Sequence, residues 1–190
     1  MSQEYGMLLF GVQRSVRYHM RRRRFFDGIT RVTNAASLIF GSSALFVLLF
    51  HEMPSEHFSW APLIPAIVGA VSIVALVYES PRMARVHSEL ARKFIELEQR
   101  MVLEPDADGD TLKQFRAQKL VIEVDEPPIH RILDALCRNE LIRAYGYDKR
   151  MYPATRFERL TAQILYLEPN DSWESCQKSN ASDKPEKVNN

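Results

Sequence analysis

The chain has 190 residues, a net charge of +1 from 25 Lys and Arg against 24 Asp and Glu, and 46% hydrophobic residues. That length suits one compact unit, or a hairpin with one small domain attached. Its two cysteines, Cys137 and Cys176, are far apart and lack metal-ligand spacing, which excludes a disulfide framework and points to free thiols.

The near-zero charge hides an asymmetry, because arginines crowd the first part of the chain and most acids lie in the second half. Residues 1–6 are expected to fray. From Met7 onward, Leu8, Leu9, Val12, Val16 and His19 recur at helical spacing. No proline interrupts residues 1–53, so one long helix is expected to run through the arginine cluster. Arg14, Arg17, Arg21 and Arg24 repeat at three and four residues and form one basic face. Such a face suits an anionic lipid headgroup or a phosphorylated ligand, but it also serves simply as a topology signal with solvated side chains.

Two apolar runs follow, residues 33–50 and 60–78, neither containing Asp, Glu, Lys, Arg or His. As helices rising ~1.5 Å per residue, each approaches the ~30 Å of a bilayer's hydrocarbon core. Arginines precede the first run and follow the second, while the link 51–59 has acids and no Lys or Arg. The orientation rule for positive residues then sets both ends inside and the link outside. The expected fold is an all-α membrane protein: a two-transmembrane helical hairpin with long cytosolic helical extensions. Its expected location is an inner (cytoplasmic) membrane, multi-pass, with both termini cytoplasmic.

Small residues repeat within the spans, with Asn34, Ser37, Gly41 and Ala44 on one face of the first and Pro65, Gly69 and Ser72 on one face of the second. Small side chains let helices approach closely, so these positions are expected to pack the hairpin or an oligomer. The link carries His51, Glu52, Glu56 and His57, but a short turn around Pro54 gives little control over metal geometry.

The domain plan is therefore a basic helix over 1–32, spans at 33–50 and 60–78 around the link 51–59, a cytosolic helical region 79–168 and a disordered tail 169–190. In the cytosolic region, Met83, Val86, Leu90, Phe94, Leu97 and Met101 form a coiled-coil-like seam. That seam is expected to pack antiparallel against the first helix as a stalk. Asp106, Asp108 and Asp110 alternate like a calcium loop, yet Gly109 and Ala117 stand where such a loop needs other residues. A turn is expected instead, with Asp110 capping a helix over 111–124. The next helix is expected to start at Asp125-Glu126-Pro127-Pro128 and stop near Tyr145, with Gly146 left-handed. His130 and Cys137 lie seven residues apart on that helix, ~10 Å, too far for nucleophilic chemistry, and Cys137 reads as a small core residue. A last amphipathic helix is expected over 153–166, with Phe157, Leu160, Ile164 and Leu167 on its apolar face. No catalytic residue, cofactor site or metal site is expected, nor binding of nucleic acid.

The basic aromatic run RYHMRRRRFFDGITRV (17–32), the tight hairpin and the segment DEPPIHRILDALCRNELIRAYG (125–146) together resemble the SLATT-type proteins. These are bacterial two-transmembrane domains found beside SMODS nucleotide-signal and SLOG ligand-sensing modules. The resemblance covers roughly residues 16–146. It implies a membrane effector of bacterial conflict or antiphage systems, which oligomerises and permeabilises the membrane when a separate cytosolic sensor fires. It brings no catalytic residues. A different class of function fits the same residues: a non-enzymatic membrane tether or scaffold that holds partners through its cytosolic helices.

Overall fold

The computed structural model of the chain describes residues 2–39, 69–70, 80–146 and 151–169, and the backbone of 40–49. The elements among them are all α-helices: α1 Gln3–Leu49, α2 Ser80–Leu103, α3 Gly109–Val124, α4 Arg131–Ala144 and α5 Arg156–Thr161. No helix among the described residues is long and apolar enough to cross a membrane. This corrects the expected two-transmembrane fold, and the multi-pass inner-membrane location falls with it. A span needs roughly 20 consecutive apolar residues. The part of α1 with described side chains is studded with arginine up to Arg31, with Asn34 close behind. The link 51–59 and the second apolar run, apart from Gly69 and Ala70, lie outside the described residues.

The chain divides into two compact units. One comprises Met1–His19 with Leu90–Asn190. Here the start of α1 runs antiparallel to the end of α2, as cross-contacts show: Tyr5 reaches Met101, Gln13 Nε2 donates to Glu98 at 2.9 Å, and His19 stacks on Phe94. α3 returns antiparallel along α2, with Arg100 bonded to Gln118 at 3.2 Å and Lys93 to Asp125 at 2.9 Å. α4 lies antiparallel to α1, joined through Arg14 with Asp134 and Tyr18 with His130. Tyr18, Ile132, Leu133, Ala135, Cys137, Tyr152 and Ala162 form one buried cluster in this unit. Cys137 is a core residue there; Cys176 lies outside the described residues.

α1 begins at Gln3, inside the segment expected to fray. Ser2 Oγ accepts from the Tyr5 N–H at 3.2 Å and its carbonyl accepts from Gly6, which caps α1. Tyr5 is buried, and its hydroxyl donates to the Met101 carbonyl. That carbonyl belongs to the last turn of α2, where helical partners run out, so Tyr5 ties one helix start to another helix end.

Three further boundaries differ from expectation. α3 is capped by Asp108, whose carboxylate accepts from the Thr111 N–H at 2.8 Å; Asp110 instead pairs with Lys113. Hydrogen bonds from Thr111 hold the Asp108 carboxyl below its usual range. α4 begins at Arg131, not at the proline pair. Glu126 and Pro127 each precede a proline, which drives them away from helical backbone, so 126–130 stays non-helical. α4 ends with Gly146 at φ +80°, a left-handed turn that a side chain would strain. α5 is one short helix over 156–161, not 153–166, fastened by a capping box between Thr155 and Glu158, and its apolar residues Phe157 and Leu160 are exposed.

The second unit comprises Met20–Glu89. Phe26 is buried and stacks on His87 with centroids 5.7 Å apart. The Arg22 guanidinium lies over the same Phe26 ring at 4.6 Å and over Phe25 at 5.6 Å, so a buried cation is held against aromatic faces. Thr30 and Ser80 share a hydrogen bond of 2.7 Å, and Ser80 Oγ approaches the Phe26 carbonyl at 3.4 Å. In this unit the α2 seam shifts by one residue. Ala84 and His87 are buried, whereas Met83 and Val86 are half-buried.

Candidate functional site

Two features of the first unit stand out, a buried polar junction and an exposed apolar helix face. The junction forms where α1, the loop 125–130 and α4 meet. A tyrosine and a histidine adjacent in sequence, Tyr18 and His19, are both buried. His19 sits between Phe94, stacked at 5.6 Å, and the edge of Tyr18 at 5.2 Å. Its Nε2 stands 3.0 Å from Glu126 Oε1, and the side chains are 1% and 8% exposed. An ionised carboxylate only accepts, so in that state Nε2 carries the bonding proton. The Tyr18 hydroxyl accepts the His130 backbone N–H at 3.0 Å, satisfying one donor at the start of α4 that the helix leaves without a partner. His130 Nδ1 lies 3.3 Å from the Leu165 carbonyl, and its ring stacks on Tyr166.

One helical turn along, Arg14 Nε stands 3.2 Å from Asp134 Oδ1. Burial pushes the Asp134 carboxyl above its ordinary range; Arg14 and Arg138 pull it down and Glu126 pushes it up, and the net direction is upward. The junction thus joins two carboxylates, two histidines and two arginines across three segments. His19, Glu126 and His130 are shut from solvent, while Arg14 and Asp134 keep part of their side chains exposed, and the bonds among these groups tie the three segments to one another.

The four arginines expected to share one basic face have different surroundings. Arg14 is half-buried against Asp134, Arg17 and Arg21 are half-buried, and Arg24 is exposed; the first two belong to one unit and the last two to the other. Of the expected packing positions, Asn34 and Ser37 are exposed on α1, and no described atom lies within 4 Å of where a Cβ would sit on Gly69. The Gly41 and Ala44 side-chain positions, and Pro65 and Ser72, lie outside the described residues. No group of three or more His, Cys, Asp or Glu among the described residues is placed to hold a metal ion. The link histidines His51 and His57 fall outside them.

The second feature is α3 itself. Leu112, Phe115 and Ile122 are buried, which fixes the inward face. At 100° per residue, Ala117, Leu120, Val121 and Val124 fall on the opposite side. Leu120 is 58% exposed, Val121 71% and Val124 83%. A surface helix ordinarily turns charge outward, so a second apolar stripe needs a reason. Phe157 and Leu160 of α5 are exposed in the same unit. Neither the junction nor this stripe was expected from sequence, although two apolar faces can be traced on a helical wheel of 112–124.

Comparison with family models, with curated proteins and with solved structures finds no match for this chain.

Proposed function

We propose that the chain is a non-enzymatic helical scaffold that holds protein partners through exposed apolar faces of its helices. The observation that carries this reading is the outward apolar stripe of α3, opposite that helix's own core face. The buried junction supports it from below. A framework whose loop and two helices are bonded by His19–Glu126 and Tyr18–His130 presents α3 and α5 from a fixed base. Burying such a stripe against a partner removes apolar area from water without any new chemistry. The test is affinity capture with the full chain against the same chain carrying Val121→Arg. Loss of specific, saturable partners with the fold intact supports the scaffold; identical partner sets overturn it.

A second reading follows the SLATT resemblance: an effector of bacterial conflict systems that acts by assembling. What favours it is that the two sequence segments carrying the resemblance converge, with Tyr18 and His19 from the basic run bonded to His130 and Glu126 from the DEPP segment. Induced expression in a bacterial host separates the readings. An effector arrests growth once its sensor's signal is supplied, whereas a scaffold leaves growth unchanged.

A further inference from the structure

We infer that the outward face of α3 is a self-association surface, and that a second copy of the chain docks on it with the two α3 helices antiparallel. This rests on the scaffold reading and names the partner. On that face Lys113, Ala117, Leu120 and Val124 follow one another at four, three and four residues, the spacing of a two-helix seam. Val121 widens the seam on one side, and Arg116 and Glu123 flank it on the other.

The order of charges chooses the orientation. On the flank beside the seam, Arg116 lies toward the start of α3 and Glu123 toward its end. Parallel copies set the Arg116–Glu123 flank of one helix against the Val121 flank of the other, so neither charge meets an opposite partner. In the antiparallel pair, flanking positions on the same side of the seam meet, so Arg116 faces Glu123 of the second copy, twice by symmetry. Ala117 then packs on Leu120 of the second copy, a small residue against a large one in both central layers. Val124 meets the aliphatic stem of Lys113, whose ammonium remains in water. Arg116 is exposed, whereas Glu123 is half-buried with Lys119 beside it, so the arginine completes a carboxylate that is already oriented.

Concentration-dependent sedimentation of the purified full chain tests this. The intact chain is expected to dimerise reversibly. Leu120→Glu is expected to weaken the dimer at least tenfold, and its melting temperature at a concentration where both proteins are monomeric should match the parent's, because Leu120 is outside the core. Arg116→Glu alone is expected to weaken the dimer. The double variant Arg116→Glu/Glu123→Arg should regain affinity to within about threefold. A strictly monomeric parent, a dimer indifferent to Leu120→Glu, or a double variant no tighter than Arg116→Glu would each overturn the inference. A monomer that still loses captured partners on Val121→Arg leaves the scaffold standing with a different occupant on this face; one that loses none removes both.

Discussion

Replacing Glu126 is the sharpest probe of the junction. Its carboxylate lies 3.0 Å from His19 Nε2, with 8% and 1% of the two side chains exposed, so water cannot readily take the lost partner's place. Hydrogen bonds to charged groups contribute about 1.5–3 kcal/mol, and a buried group stripped of its partner costs about 1–3 kcal/mol. Glu126→Ala is therefore expected to lower unfolding free energy by about 2–3 kcal/mol. Glu126→Gln, which keeps an acceptor, is expected to cost less than about 1.5 kcal/mol. The double replacement His19→Leu/Glu126→Leu should recover much of the alanine loss, since removing both polar groups together strands neither. Urea titration followed by circular dichroism measures this. With a slope of about 2 kcal/mol per molar urea, the alanine midpoint should fall by about 1–1.5 M. A fall below about 0.3 M would refute the claim that this pair anchors the loop to α1.

Other outcomes follow from neighbouring contacts. Tyr5→Phe keeps the ring but removes the donor to the Met101 carbonyl, and should cost about 1 kcal/mol in the same titration. Thr155→Ala breaks the capping box of α5 and should cost about 1 kcal/mol locally, read as faster amide exchange over 156–162 with little change at α4. Burial pushes the Glu158 carboxyl upward, but hydrogen bonds from Thr155 and Tyr152 outweigh it and leave the group below its ordinary range. The stability Glu158 contributes is thus present above the usual carboxylate range and lost as pH falls through its lowered folded value. Asp134 has the opposite sign: its folded carboxyl is raised, so its contribution is complete in acid and lost as pH rises through the folded value. The stability of Asp134→Asn relative to the parent should therefore climb between pH 3 and pH 7; a flat or falling difference would contradict the burial account.

Much of the helical framework was legible because period and punctuation agreed. Leu8, Val12, Val16 and His19 on α1 and Leu90, Phe94, Leu97 and Met101 on α2 recur at helical spacing, and each of them is buried. Gly146 ends α4 because only a residue without a side chain adopts φ +80° there without strain. Boundaries were harder where two rules competed. Prolines are welcome in a first helical turn, but consecutive prolines also force the residue before each into extended backbone, and at Glu126-Pro127-Pro128 the second rule prevailed. Asp110 was the expected cap of α3, and the choice of Asp108 instead depended on which carboxylate could reach the Thr111 N–H. The membrane expectation rested on charge-free length, a property of runs extending beyond the described residues, and no described helix meets it.

The junction was out of reach for a different reason. Glu126 lies 107 residues from His19 and His130 lies 112 from Tyr18, and neither pair has a local spacing that announces it. In one dimension Glu126 is an acid before prolines and His19 one more member of an apolar stripe. The link between them is imposed by the antiparallel return of α4 along α1, which sets residue 14 beside 134 and residue 18 beside 130. Once that register is fixed, a histidine in the stripe must meet whatever the loop before α4 carries, and an apolar residue there would leave a buried imidazole without its carboxylate. The pairing is therefore a property of the fold's register, and shifting α4 by one turn along α1 would break it. The α3 stripe is the converse case. Its residues are adjacent in sequence, and its meaning depends on knowing that Leu112, Phe115 and Ile122 already supply the inward face.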